Sequence, residues 1–131
     1  LNPSQTWLQP PGYVTRMISR NYQPLLVKTE VLHGDRNLDA TVKRSEDGKT
    51  LVMQVVNAGE QPHNVSLNLD GFHPSRPTAR VEELCGSLHS RNTALWPNRV
   101  VTRETRWSHG LTNGKTRYVF PPHSFTVIVF E

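Results

Sequence analysis

Cleavage of a glycosidic bond needs two carboxyl groups facing each other across a gap of about 5–10 Å. The eleven acidic residues are therefore where catalytic chemistry is sought first. Glu82 and Glu83 are neighbours in an apolar stretch that reads as a strand, so their side chains point to opposite faces. Glu46 and Asp47 fall in a turn open to water, and the other acids are dispersed. The expectation is that all of them are solvated surface groups and that the chain holds no catalytic pair.

Metal and nucleophile chemistry fare no better. The histidines His33, His63, His73, His89, His109 and His123 never recur at the short spacing of a helical or strand metal site. Cys85 lies four residues from His89 without a second thiolate, and it reads as a buried thiol on a strand rather than a nucleophile. Neither a Gly-x-Ser-x-Gly elbow nor a phosphate-cradling glycine loop occurs. No cofactor and no metal site are expected.

Aromatic rings raise the question of sugar binding, because an exposed ring face can stack on a pyranose or furanose. Trp7, Trp96 and Trp107 are the candidates. Trp7 sits in a proline-rich stretch and Trp96 precedes Pro97, so these two are the rings most open to solvent; packing or covering the ends of the fold is the competing role for all three. Asn64-Val65-Ser66 is a glycosylation sequon whose use depends on a secretory context.

The elements that position these residues follow from periodicity. Tyr13 and Met17 are four apart, as are Val14 and Ile18, which gives one apolar stripe over about two helical turns. Pro10 and Pro11 suit its start, and Asn21 with Pro24 suits its end. A helix this short is marginal alone, so the stripe must dock on the rest of the chain or on a neighbour. From Pro24 onward the texture is that of strands: 25–31, 38–44, 50–56, 65–69, 79–84, 100–107, 117–120 and 124–130. Glu46-Asp47-Gly48-Lys49 between two apolar runs is the strongest hairpin signal. About eight short strands joined by Gly, Pro and Asn turns predict an all-β, antiparallel, jelly-roll-like sandwich preceded by one short α-helix.

At 131 residues the chain is about one domain, long enough to bury a core. A formal charge of +4 comes from basic residues scattered between Arg16 and Arg117, with Lys43-Arg44 the only adjacent pair considered. No basic run is interleaved with stacking aromatics, so nucleic acid is not the expected partner. With 35% hydrophobic residues and no run of about 18 apolar ones, no membrane-spanning helix is expected. The chain opens on Leu1 without a basic-then-apolar leader, which reads as a processed product or a piece of a longer protein.

Four stretches, in order, carry a family resemblance: Gln9-Pro-Pro-Gly-Tyr13-Val-Thr-Arg-Met17-Ile-Ser; Leu51-Val-Met-Gln-Val-Val-Asn57; Leu84-Cys-Gly86 with Asn92-Thr93 and Pro97-Asn-Arg-Val100; and Phe120-Pro-Pro-His-Ser124-Phe-Thr-Val127. Together they resemble the C-terminal region of α-L-arabinofuranosidases of glycoside hydrolase family 51. One departure is Val101-Thr102, where the family often has a proline soon after the Pro-x-x-Val valine. The resemblance implies a parent enzyme with a catalytic (β/α)₈ barrel and a β-sandwich, retaining hydrolysis of terminal arabinofuranosyl units from arabinan or arabinoxylan, and no metal. It also implies a division of this chain into residues 1–23, the last barrel helix and linker, and residues 24–131, the sandwich. Tyr13, Val14, Met17 and Ile18 would then dock the barrel to the sandwich, and a secreted or periplasmic parent is expected. The family's acid/base glutamate stands in an Asn-Glu dipeptide, which this chain lacks, so no catalytic residue carries over. A module that binds arabinose-containing glycans through Trp7 and Trp96 is the second reading; an immunoglobulin-like interaction domain is the third.

Overall fold

The computed structural model describes residues 6–32, 36–87 and 89–131; His33 therefore lies outside the described residues. Helix α1 (Pro10–Arg20) is followed by strands β1 (Leu25–Val27), β2 (Leu38–Arg44), β3 (Leu51–Asn57), β4 (His63–Asn68), β5 (Thr78–Cys85), β6 (Arg103–Ser108), β7 (Lys115–Phe120) and β8 (Ser124–Phe130). Every strand pairing is antiparallel. Six strands form one sheet in the order β1-β2-β3-β8-β5-β6, and β4 pairs with β7 in a second sheet. The result is an all-β sandwich of unequal layers with one helix.

Alternation along the central strands divides the core in two. Leu51, Met53 and Val55 of β3, Ile128 and Phe130 of β8, and Ala79 and Val81 of β5 join Leu67, Leu69, Phe72 and Phe120 in the cluster between the sheets. Val52, Val127, Val129 and Leu84 face the other way and pack with Tyr13 and Met17 of α1 and with Val100. The middle of the large sheet is thus buried on both faces, which explains the unbroken apolar run Val127-Ile128-Val129.

The β2–β3 hairpin forms where the Asp-Gly signal placed it. Gly48 takes φ 72° there, and Asp47 accepts hydrogen bonds from the Ser45 hydroxyl (2.6 Å) and the Lys49 amide (3.0 Å). These bonds hold the Asp47 carboxyl below its ordinary value, the serine bond contributing most.

Most strand ends shift by one or two residues from the sequence reading, and three boundaries have a local cause. Both prolines lie inside α1, in its first turn, where missing amide donors cost nothing. Strand β1 ends at Val27 rather than Val31; the Thr29 hydroxyl donates to the Val27 carbonyl (3.0 Å), a local bond that competes with the ladder. Strand β6 starts at Arg103 rather than Val100, because Val100 is bonded into a loop instead.

Candidate functional site: the helix junction and its loop

Helix α1 lies on the outer face of the large sheet and positions the sequence-predicted docking residues unequally. Tyr13 and Met17 are buried, Val14 is half-buried and packed against the same cluster, and Ile18 is exposed. Asn21 caps the helix. Its Nδ2 donates to the Met17 carbonyl (2.7 Å), which satisfies one of the carbonyls left open at a helix end, and its Oδ1 accepts from the Arg80 guanidinium (2.5 Å).

Beneath that cap sits Glu82, only 1% exposed. Its carboxylate accepts from Asn21 Nδ2 (3.5 Å) and faces Arg20 (3.7 Å) and Arg80 (4.0 Å). The expectation that Glu82 is a solvated surface group is therefore wrong. It occupies the α1 side of β5, where a carboxylate can be buried only with donors and cations around it. Glu83 points the other way, as adjacent strand residues must, and accepts from the Tyr118 hydroxyl (2.8 Å). Burial first, and then this carboxylate, pushes the Tyr118 phenol well above its ordinary value. Glu82 and Glu83 cannot act together on one bond.

A second polar centre organises the loop between β5 and β6. Asn92, buried in that loop, makes six hydrogen bonds. Its Nδ2 donates to the carbonyls of Leu8 (2.7 Å) and Val100 (2.8 Å), and its Oδ1 accepts from the Val100 amide (2.7 Å). Its backbone amide donates to Gln9 Oε1 (3.1 Å), and its carbonyl accepts from Gln9 Nε2 (2.7 Å) and from the Trp7 indole (3.2 Å). The start of the chain and the loop are thereby tied together across more than eighty residues of sequence. Asn57, the last residue of β3, ties the following turn to the end of β7: its Nδ2 donates to the carbonyls of Gln61 (2.9 Å), Phe120 (3.3 Å) and Pro121 (2.9 Å), and its Oδ1 accepts from the Gly59 amide (3.0 Å).

The three tryptophans separate. Trp7 is half-buried with its N–H engaged by Asn92. Trp107 is half-buried and packs against the core, edge-on to Tyr118 (4.9 Å between centroids) and Phe130 (6.2 Å). Trp96 is 62% exposed, beside Leu95 at 85%. Cys85 is also exposed, contrary to the reading of a buried thiol, because it is the last residue of β5, where the strand leaves the core. Among the described residues, no three His, Cys, Asp or Glu side chains stand together as metal ligands, and no helix is long and apolar enough to cross a membrane.

The profile of the family described as the alpha-L-arabinofuranosidase C-terminal domain matches residues 1–124. The chain belongs to that family. Its fold matches the α-L-arabinofuranosidase of Thermotoga maritima, solved as an arabinose complex, with a TM-score of 0.86 at 25% identity, over 100% of this domain and 30% of that chain. The GH51 α-L-arabinofuranosidase of Thermotoga petrophila RKU-1 matches with a TM-score of 0.82 at 25% identity, over 95% of this domain and 29% of that chain. The arabinose-bound MgGH51 α-L-arabinofuranosidase shares the fold, with a TM-score of 0.87 at 17% identity, over 99% of this domain and 20% of that chain. A search of curated proteins gave no match. This C-terminal domain thus spans less than a third of the arabinofuranosidase chains it resembles.

Asn57 closes one of the stretches that carried the sequence resemblance and Asn92 stands inside another, and both are buried. Ser124, in a third, donates its hydroxyl to the Pro121 carbonyl (2.6 Å). These residues hold loops at the rim of the sheet rather than perform chemistry. Glu82 and the Asn92 centre were missed as structural keys because their partners, Asn21 and Leu8–Gln9, are remote in sequence. Asn92 was marked in the sequence only by its place in one of those stretches, and Glu82 by nothing local.

Proposed function

We propose that this chain is the non-catalytic β-sandwich of a larger α-L-arabinofuranosidase, whose catalytic (β/α)₈ barrel it supports, and that the parent removes terminal arabinofuranosyl units from arabinan or arabinoxylan. The single observation behind this reading is that 100% and 95% of the chain superpose on 30% and 29% of the two Thermotoga arabinofuranosidases. The opposed placement of Glu82 and Glu83 agrees with it, since the only adjacent glutamates are divided between two faces of one strand. Residues 1–23 are then the last helix of the barrel and its linker, carried along on the sheet, and residues 24–131 the sandwich. Tyr13 and Met17 anchor the helix to the sandwich; Ile18 remains for the barrel side.

The test is direct. The purified chain is expected to show no turnover of an aryl α-L-arabinofuranoside, because general acid–base catalysis needs positioned groups that these faces do not bring together. Turnover abolished by a single substitution in this chain would overturn the proposal.

A further inference from the structure

Leu95 and Trp96 are two large apolar side chains, 85% and 62% exposed, at the tip of a loop that is anything but loose. The tip is closed by reciprocal backbone bonds between Thr93 and Trp96 (3.1 Å each), and the Thr93 hydroxyl accepts from the Trp96 amide at 3.1 Å. Its base is Asn92, fixed by bonds to Leu8, Gln9, Val100 and Trp7. The loop is therefore preorganised, so little ordering cost is added when its tip is covered. A rigidly presented tryptophan with an apolar neighbour is the side-chain chemistry of an interface anchor.

The charge around it selects the partner. From Cys85 to Arg103 the sequence carries Arg91, Arg99 and Arg103 and not one carboxylate. Arg91 and Arg99 are exposed on either side of the tip. A sugar platform would need further rings, but Trp7 is half-buried with its N–H engaged and Trp107 is half-buried and packed edge-on to Tyr118 and Phe130. A surface complementary to this tip would offer apolar contact rimmed by carboxylates.

We propose that the Leu95–Trp96 tip is the knob by which this domain seats in an acid-rimmed apolar pocket on the catalytic barrel of the same parent chain. The proposal rests on the supporting role given above and names the contact that performs it. Arg91 and Arg99 steer the approach, and the two apolar side chains supply the hold.

The experiment measures binding of this chain to the separately produced barrel of its parent, with Trp96→Ala, Arg91→Glu/Arg99→Glu, and Val119→Ala as a control for an exposed apolar residue on β7. Trp96→Ala is expected to weaken binding at least 30-fold with an unchanged melting temperature. The double charge reversal is expected to slow association at low salt by about tenfold, and Val119→Ala to leave affinity within twofold. Radical footprinting of the intact parent gives a second reading that needs no separate barrel: Trp96 should be oxidised at least tenfold more slowly there than in the free chain. Wild-type binding that survives Trp96→Ala, or equal oxidation in both forms, overturns the knob while leaving the supporting role intact. No binding of the wild-type chain to a barrel that is folded by circular dichroism overturns the supporting role and the knob together. Retention on arabinan that is lost with Trp96→Ala overturns the knob by giving the ring to sugar.

Discussion

On its inner face, the six-stranded sheet packs Met53, Val81, Ile128 and Phe130 against Trp107, Tyr118 and Phe120. On its outer face it packs Val52, Val127 and Val129 against Tyr13 and Met17, but buries Glu82 and Gln54 among them. The inner face gains from contact area, which tolerates small errors of position. The outer face gains from contact area and also depends on hydrogen bonds that must be made in one geometry, because an unmade buried bond costs about 1–3 kcal/mol. Holding α1 in one place thus depends on polar contacts as well as packing, whereas the inner cluster of rings and aliphatic side chains depends chiefly on packing.

The comparison is broken most severely on the inner face. Phe130 is fully buried at the centre of the ring cluster, so Phe130→Ala should cost about 3–5 kcal/mol and lower the melting temperature of the whole domain as one transition. A loss under 1 kcal/mol by denaturant unfolding would mean that the rings do not hold the layers together.

Met17→Asp tests the outer face. A carboxylate in that apolar cluster should cost about 2–4 kcal/mol, and hydrogen exchange should rise in α1 before it rises in β3 and β8. Equal acceleration everywhere would show the two faces to be one cooperative unit; an unchanged melting temperature would show α1 to be a loose remnant.

The smallest effect is an alkaline one. With the Tyr118 phenol raised in the folded state, the unfolded chain loses that proton first, near the ordinary value of about 10. Stability is therefore fully present below pH of about 10 and declines as pH rises above it. Tyr118→Phe should remove that decline from a pH series of melting temperatures; an identical slope in both proteins would locate the titration elsewhere.

What the sequence made legible follows the same division. The eight strands and the hairpin at Asp47-Gly48 were readable because period-two alternation and turn chemistry are local. The helix was readable from Tyr13 and Met17, although Ile18, on the same stripe, turned out exposed. Glu82 was misread because an acid in a strand looks like a surface residue until Arg20 and Asn21, about sixty residues earlier in the chain, join its strand neighbour Arg80 around it. The exposure of Trp96 was anticipated from Pro97, but the rigidity of its loop was not, since it depends on Asn92 reaching Leu8 and Gln9.

The most direct measurement is the thermal half-life of the parent's catalytic barrel, produced alone and assayed on an aryl α-L-arabinofuranoside with and without an equimolar amount of this chain. The expected result is that the chain, inactive by itself, prolongs the barrel's active life in a saturable way, as mass action requires of a partner that binds only the folded state. A barrel whose half-life is unchanged by the chain at any concentration would contradict the supporting role.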